Sequence, residues 1–263
     1  NKLSVPVSLP EDAMTIEEHT LKNHKSSSVY FFDSYEFLRY FPTHYKWLSA
    51  FGDVTWIPKY PSLVKSRPID NDNANSVILK LDKVRHFIFV DDKKPFVEKE
   101  DKAIFRGKVS RKAIREDFMT QFFEHPRIDA GAIEKNPPKP EWKVEKMTIR
   151  QHLNFRYVLA LEGIDVASNL KWVMSSNSIA VMPRPNYETW FMEGKLIPNY
   201  HYIEVKEDFS DLEAKLDYYS SHIVEAEAII AHAHEWVEQF MDKEREEVIA
   251  LLVLQKYFKI CGY

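Results

Sequence analysis

"AIFRGKVSRKAIREDF", residues 103–118, reads as a strand, a short loop and the start of a helix. The apolar run Ala103, Ile104, Phe105 ends at Arg106-Gly107. Ser110 stands where a helix N-cap would. Beyond it Ile114, Phe118 and Phe122 recur at i, i+4 and i+8, the period of a helix with one buried face. The same stretch gathers five cations: Arg106, Lys108, Arg111, Lys112 and Arg115. Either these form a solvated helix face, or an anion sits among them. Open α/β sheets bind ligands at the carboxyl ends of their strands, and a helix N-terminus there offers free N–H donors and a positive dipole end. Arg106 and Arg111 at that mouth would cradle a diphosphate. Arg115, one turn past Arg111, could face the same anion. No glycine-rich loop accompanies them, so both readings stay open on the residues alone.

Around this unit the pattern repeats. Upstream, "DVTWIP" (53–58), "SVILKL" (76–81) and "HFIFV" (86–90) read as short strands bounded by Pro, Asp or Asn. Downstream, "TIRQHLNF" starts as a helix and runs into the strand "YVLALEG". "ASNLKWVMSS" is helical, and "SIAVMP" and "HYIEV" are strands. "DFSDLEAKLDYY" opens a helix with Ser210 as cap and Glu213 three residues on, and two long helices follow, roughly 222–241 and 243–257. Strands alternating with helices from Ala103 onward predict a parallel sheet of βαβ units. The expected boundary lies near Lys102, giving a half over 1–102 and a half over 103–263.

A second strand-to-helix mouth occurs at "LALEGIDVASNLKW" (159–172). There Glu162, Gly163 and Asp165 follow a strand, and Lys171 sits on the next helix. Glu162 and Asp165 suit sugar or ribose hydroxyls, and Lys171 is long enough to reach a phosphate. The alternative is a helix capped by Asp165 or Ser168 with Lys171 in water, and the residues alone do not separate the two.

Composition narrows the classes. The 263 residues are 44% hydrophobic and 29% charged, a packed globular composition. A formal charge of −4 excludes a broad basic face for nucleic acid, so any anion site is local. The one cysteine, Cys261, permits no internal disulfide and no paired-cysteine zinc site, which fits a reducing compartment. No apolar run approaches the ~20 residues of a membrane span, and no signal peptide opens the chain. It begins at Asn1 rather than Met, as a processed or trimmed end would.

"FRG" with its spaced arginines, "RYVLALEGIDVASNLKWVMSSNS" (156–178), "ETWFMEGKLIPNYHYIEV" (188–205) and "DFSDLEAKL" (208–216) together resemble glycosyltransferase family 90. "GDVTWIP" (52–58), "KSRPI" (65–69) and "VRHFIFVDD" (84–92) resemble its bacterial lipopolysaccharide-core branch, related to the protein O-glucosyl- and O-xylosyltransferases. Several motifs in the right order cover most of the chain, from about Val29 to Phe258.

The resemblance implies an α/β fold of the GT-B kind, two facing Rossmann-like halves with C-terminal helices. The N-terminal half would take the acceptor and the C-terminal half the nucleotide-sugar. It implies an inverting, metal-independent hexosyl transfer from a nucleotide-sugar, typically a UDP-sugar, to a hydroxyl of a lipopolysaccharide core or similar surface glycan. No cofactor is expected. The partners are the sugar donor and a glycan or glycolipid acceptor, with no nucleic acid, and the place is the cytoplasm, at the periphery of the inner membrane. Without a metal, Arg, Lys and helix dipoles must neutralise the leaving diphosphate. Arg106, Gly107, Arg111 and Arg115 match the family's first motif, and Glu162, Gly163, Asp165 and Lys171 its second. Two positions depart. Asn169 stands where eukaryotic relatives place an arginine, and Lys59 stands near where they place the catalytic Asp. An inverting displacement needs a base for the acceptor hydroxyl; Asp53 is the candidate, with Asp91, Asp92 and His86 as others.

Asp70 and Asp72 in "PIDNDNANS" have the spacing of a cation-binding pair in a metal-dependent GT-A enzyme, but an Asn/Asp-rich segment reads as a turn. His232 and His234 are two apart and point to different helix faces, which argues against a metal site. A protein that binds a nucleotide or glycan without transferring it is the remaining alternative.

Overall fold

The computed structural model describes residues 6–23, 29–70 and 72–263. Two compact units divide the chain: residues 1–86, 186–194 and 240–263 form one, residues 87–185 and 195–239 the other. The first division falls at His86/Phe87, where a boundary near Lys102 was expected, and the last 24 residues belong with the N-terminal unit.

The first unit opens with α1 (Ile16–Asn23) and α2 (Val29–Leu38). The strands β1 (Ser49–Ala50), β2 (Ser62–Val64), β3 (Ser66–Pro68) and β4 (Ser76–Ile78) follow, and then α3 (Lys83–His86). β1, β2 and β4 make a parallel sheet in that order. Helix α2 is split: Phe31, Phe37 and Leu38 are buried, while Phe32, and Tyr40 just after the helix, face solvent. "DVTWIP" and "HFIFV" are not strands. The residues after His86 run as irregular extended chain, and Val90 N–H donates to Ser175 Oγ rather than to a strand neighbour.

The second unit begins with β5 (Glu100–Gly107), α4 (Ala113–Phe122) and β6 (Ile128–Ala132). Then come α5 (Ile149–His152), β7 (Phe155–Leu159), α6 (Leu170–Met174) and β8 (Ile179–Met182). The chain visits the first unit through β9 (Tyr187–Thr189), which pairs antiparallel with β3. It returns for β10 (Ile203–Glu204), α7 (Leu212–Ser221) and α8 (Ile223–Glu238), and α9 (Lys243–Ile260) completes the first unit.

The second unit's sheet has the order β10-β8-β7-β5-β6, and every pairing is parallel. This bears out the parallel sheet expected from Ala103 onward. Its first strand, β5, lies between the second, β6, and the third, β7. The strand order therefore reverses at β5/β7, the switch point at which doubly wound sheets open a crevice at their carboxyl ends. Phe105, Phe118, Phe122 and Phe209 pack together on the α4 side, with ring centroids 5.2–6.3 Å apart. This apolar contact sets α4 against the sheet.

Within the first unit, α9 is fixed by buried polar contacts. Tyr257 Oη accepts from Leu48 N–H at 3.0 Å and donates to the Pro61 carbonyl at 3.1 Å. Glu246 pairs with Lys80 at 2.7 Å and accepts from Trp190 Nε1 at 2.8 Å. The Arg67–Glu188 pair, 2.7 Å apart and buried, holds β9 to β3. Among the described residues no helix is long and apolar enough to cross a membrane.

Candidate functional site

Arg115 sits at the β5/β7 switch point. It lies on the first turn of α4, and its guanidinium reaches back between the loops that follow the two strands. Nε donates to the Glu162 carbonyl at 2.9 Å, Nη2 to the Leu161 carbonyl at 2.6 Å, and Nη1 to the Lys108 carbonyl at 2.9 Å. Two glycines leave room for it: a Cβ on Gly107 would lie 3.3 Å from Nη1, and one on Gly163 3.2 Å from Nη2. Its plane also lies over the Phe105 ring, 5.9 Å from the centroid.

These partners are all carbonyls, and no carboxylate pairs directly with Arg115 among the described residues. Burial pushes its pKa down to about 10, against the more distant charges of Glu134 and Glu162. It stays protonated at neutral pH. A half-buried cation with no carboxylate beside it is a charge that a bound anion would balance. A guanidinium has five N–H donors, so the three carbonyls leave two for such an anion.

The neighbouring sequence candidates are placed differently. Arg106 alternates with Phe105 along β5 and so points to the other face of the sheet. There Nη2 pairs with Asp129 Oδ1 at 2.7 Å and Nη1 donates to the Asp129 carbonyl at 2.8 Å, tying β5 to β6. The structure does not bring Arg106 and Arg115 together. Arg111 is exposed, with a positive φ of 60°, and its N–H donates to Glu116 Oε1 at 2.8 Å. Lys112, rather than Ser110, is the N-cap of α4. Ser110 instead meets Glu134, which follows β6: its N–H and Oγ each lie 2.7 Å from Glu134 Oε1, and Val109 N–H lies 2.9 Å from Oε2. Glu134 was not singled out from the sequence. An acid in "GAIEKN" becomes visible only once β6 is known to neighbour β5.

In the second mouth, Glu162 and Gly163 border Arg115 through backbone and close approach. Asp165 is buried two residues on. Lys171 is fully buried in α6, its Nζ 5.9 Å from the Phe87 ring centroid. Asn169 is the N-cap of α6 and donates to the Leu159 carbonyl at 3.0 Å.

The base candidates separate by environment. Asp53, in the first unit, is partly exposed, and its Oδ1 takes both Lys65 Nζ at 2.5 Å and Arg85 Nη2 at 3.1 Å. Burial raises its pKa, but the two cations outweigh that and hold it below its ordinary value. Asp53 is thus ionised at neutral pH, and its Oδ2 has no partner among the described residues. Asp92 is buried against Lys99 at 2.7 Å and accepts from Asn177 N–H at 3.0 Å, a structural pairing. Asp91 is exposed and pairs with Lys93, and His86 is buried in α3. Asp70 Oδ1 accepts from Asp72 N–H at 3.1 Å, the turn geometry expected of that segment; Asn71 lies outside the described residues. His234 Nε2 bonds the Ser176 carbonyl at 2.9 Å and His232 stacks on Tyr200, so the two histidines serve different contacts.

At the switch point of this parallel α/β sheet stands an arginine that meets three carbonyls and, among the described residues, no carboxylate. The sequence profile of "Glycosyl transferase family 90" matches residues 73–263, and the chain belongs to that family. It is 44% identical to "O-glucosyltransferase LpsA" of Dichelobacter nodosus over 260 residues, 99% of this chain and 80% of that protein. It is 26% identical to "Protein O-glucosyltransferase 3" of rat and of human over 168 residues, 62% of this chain but 32% of theirs. The protein is a glycosyltransferase.

Proposed function

We propose that this enzyme transfers a hexose from a UDP-sugar to a hydroxyl of a lipopolysaccharide core or similar surface glycan, with inversion and without a metal. One observation carries the donor half of this reading: the half-buried Arg115, held by three carbonyls and lacking a carboxylate, at the β5/β7 switch point. The diphosphate of the donor balances its charge, and the negative charge that builds on the departing phosphate is met by a fixed cation. Lys108, Arg111 and Lys112 on the same loop add to that field. Glu162 and Asp165 take donor hydroxyls. The GT-B assignment belongs to this proposal, with the donor on the second unit and the acceptor on the first. Two parallel sheets, one in each unit, support it.

Asp53 is proposed as the base. It is ionised and has one uncommitted oxygen, as a proton acceptor requires. Its depressed pKa makes it a weaker base than an ordinary carboxylate, so position must supply most of its effect. The lipopolysaccharide acceptor rests on the likeness to the protein named LpsA. A cytoplasmic enzyme at the membrane periphery would meet such an acceptor.

The test is release of UDP from UDP-glucose and other UDP-hexoses, with and without lipopolysaccharide core acceptor. Acceptor-dependent UDP release that collapses in Arg115→Ala supports the reading. A parent enzyme that binds UDP yet releases none from any donor would instead make this a binding protein.

A further inference from the structure

Glu134, which follows β6, grips the loop between β5 and α4 from the neighbouring strand. Its two oxygens receive the N–H groups of Val109 and Ser110 and the Ser110 hydroxyl, at 2.7–3.0 Å. Burial raises its pKa, but these donors, Ser110 first, outweigh that and hold the carboxyl below its ordinary value. The held residues are not incidental to the donor site. Lys108, immediately before Val109, supplies one of the three carbonyls that fix Arg115, and Gly107 supplies the gap beside Nη1. Arg111, immediately after Ser110, takes a positive φ of 60°, a conformation that a non-glycine residue keeps only when its surroundings impose it.

We propose that Glu134 is a positioning residue for the donor diphosphate. Anchored after β6, it fixes the adjacent loop after β5 and so sets the Lys108 carbonyl, and with it the orientation of Arg115. It also fills the N–H groups that would otherwise be the natural anion cradle of this loop. The diphosphate is therefore met by the Arg115 guanidinium and not by the Val109 and Ser110 amides. The inference rests on the donor-site reading above.

Two variants test it. Glu134→Gln keeps shape and one acceptor oxygen but removes the charge, and Ser110→Ala removes one bond of the set and is mild enough to fold. UDP titrations should show affinity at least tenfold weaker in Glu134→Gln and severalfold weaker in Ser110→Ala. In turnover, the KM for the UDP-sugar should rise while the acceptor KM stays at the parent value. A merely structural role would shift both substrates' parameters together, and that result overturns the proposal. Tighter UDP binding in Glu134→Gln also overturns it, since it would mean that the phosphate competes with Glu134 for the amides. Arg115→Ala separates the levels. If that variant loses UDP affinity while Glu134→Gln does not, the donor site stands and the role of Glu134 falls. If Arg115→Ala binds UDP like the parent, the donor site itself falls.

Discussion

Asp53 and Glu134 are both carboxylates held below their ordinary pKa, and the same physics gives them different uses. Glu134 has its oxygens engaged by the loop it holds, whereas Asp53 offers Oδ2. Asp53→Asn should lower turnover by about 10²–10⁴-fold while leaving UDP affinity intact, the usual worth of a general base. The variant also removes one counter-charge from Lys65, whose side chain is 1% exposed. Its melting temperature must therefore be read beside its rate, and a parent-like rate would place the base elsewhere. The sign of the pH effect at Glu134 follows from its lowered pKa. The stabilisation is present above the unfolded value of about 4.3 and is lost as pH falls through the lower folded value. The melting-temperature gap between the parent and Glu134→Gln should be constant near neutrality and close as the pH drops below about 4. At this scale the sequence exposed the charges but not their partners. Arg106 and Arg115 look alike in "AIFRGKVSRKAIREDF"; only strand alternation sends one to Asp129 and the other to the switch point.

Secondary elements are held by a few close fits that can be broken and repaired. A Cβ on Gly131, in β6, would overlap the Val144 side chain. Gly131→Ala should cost about 1–3 kcal/mol by overpacking, and adding Val144→Ala should return part of it; thermal melts of the single and double variants check this. Helix α9 offers the opposite case, a deletion. Glu246→Ala removes a carboxylate from half-buried Lys80 and the acceptor from Trp190 Nε1, and breaking one side of a pair costs up to about 3–5 kcal/mol when the pair is buried. Urea unfolding that shifts by less than 1 kcal/mol would show this staple to be idle. Most elements from β5 onward were legible because apolar periodicity and punctuation agree there; the short strands β6 and β9 were not read. "DVTWIP" and "HFIFV" were misleading because apolar β-branched and aromatic runs also occur in extended segments whose N–H groups bond to side chains, as Val90 does.

At the scale of the molecule, the sequence could not show that α9 belongs with the N-terminal unit. That depends on Tyr257 reaching Leu48 and Pro61, and on Glu246 reaching Lys80, contacts separated by more than 150 residues in the chain. Family membership was legible, because its motifs are local and ordered along the chain. The proposal that arginine rather than a divalent ion meets the leaving diphosphate makes its own prediction: turnover should persist in EDTA. Loss of activity there and its return with manganese would move Asp70 and Asp72 from a turn to a cation site. The central claim is that Arg115 receives the donor diphosphate, and calorimetric titration of UDP into the parent, Arg115→Ala and Arg106→Ala tests it most directly. Charge-assisted hydrogen bonds contribute about 1.5–3 kcal/mol, so Arg115→Ala should bind about tenfold to a hundredfold more weakly. Arg106→Ala, which loses bonds to Asp129 and to the Phe105 carbonyl, should stay close to the parent in affinity. Parent-like binding by Arg115→Ala would contradict the account.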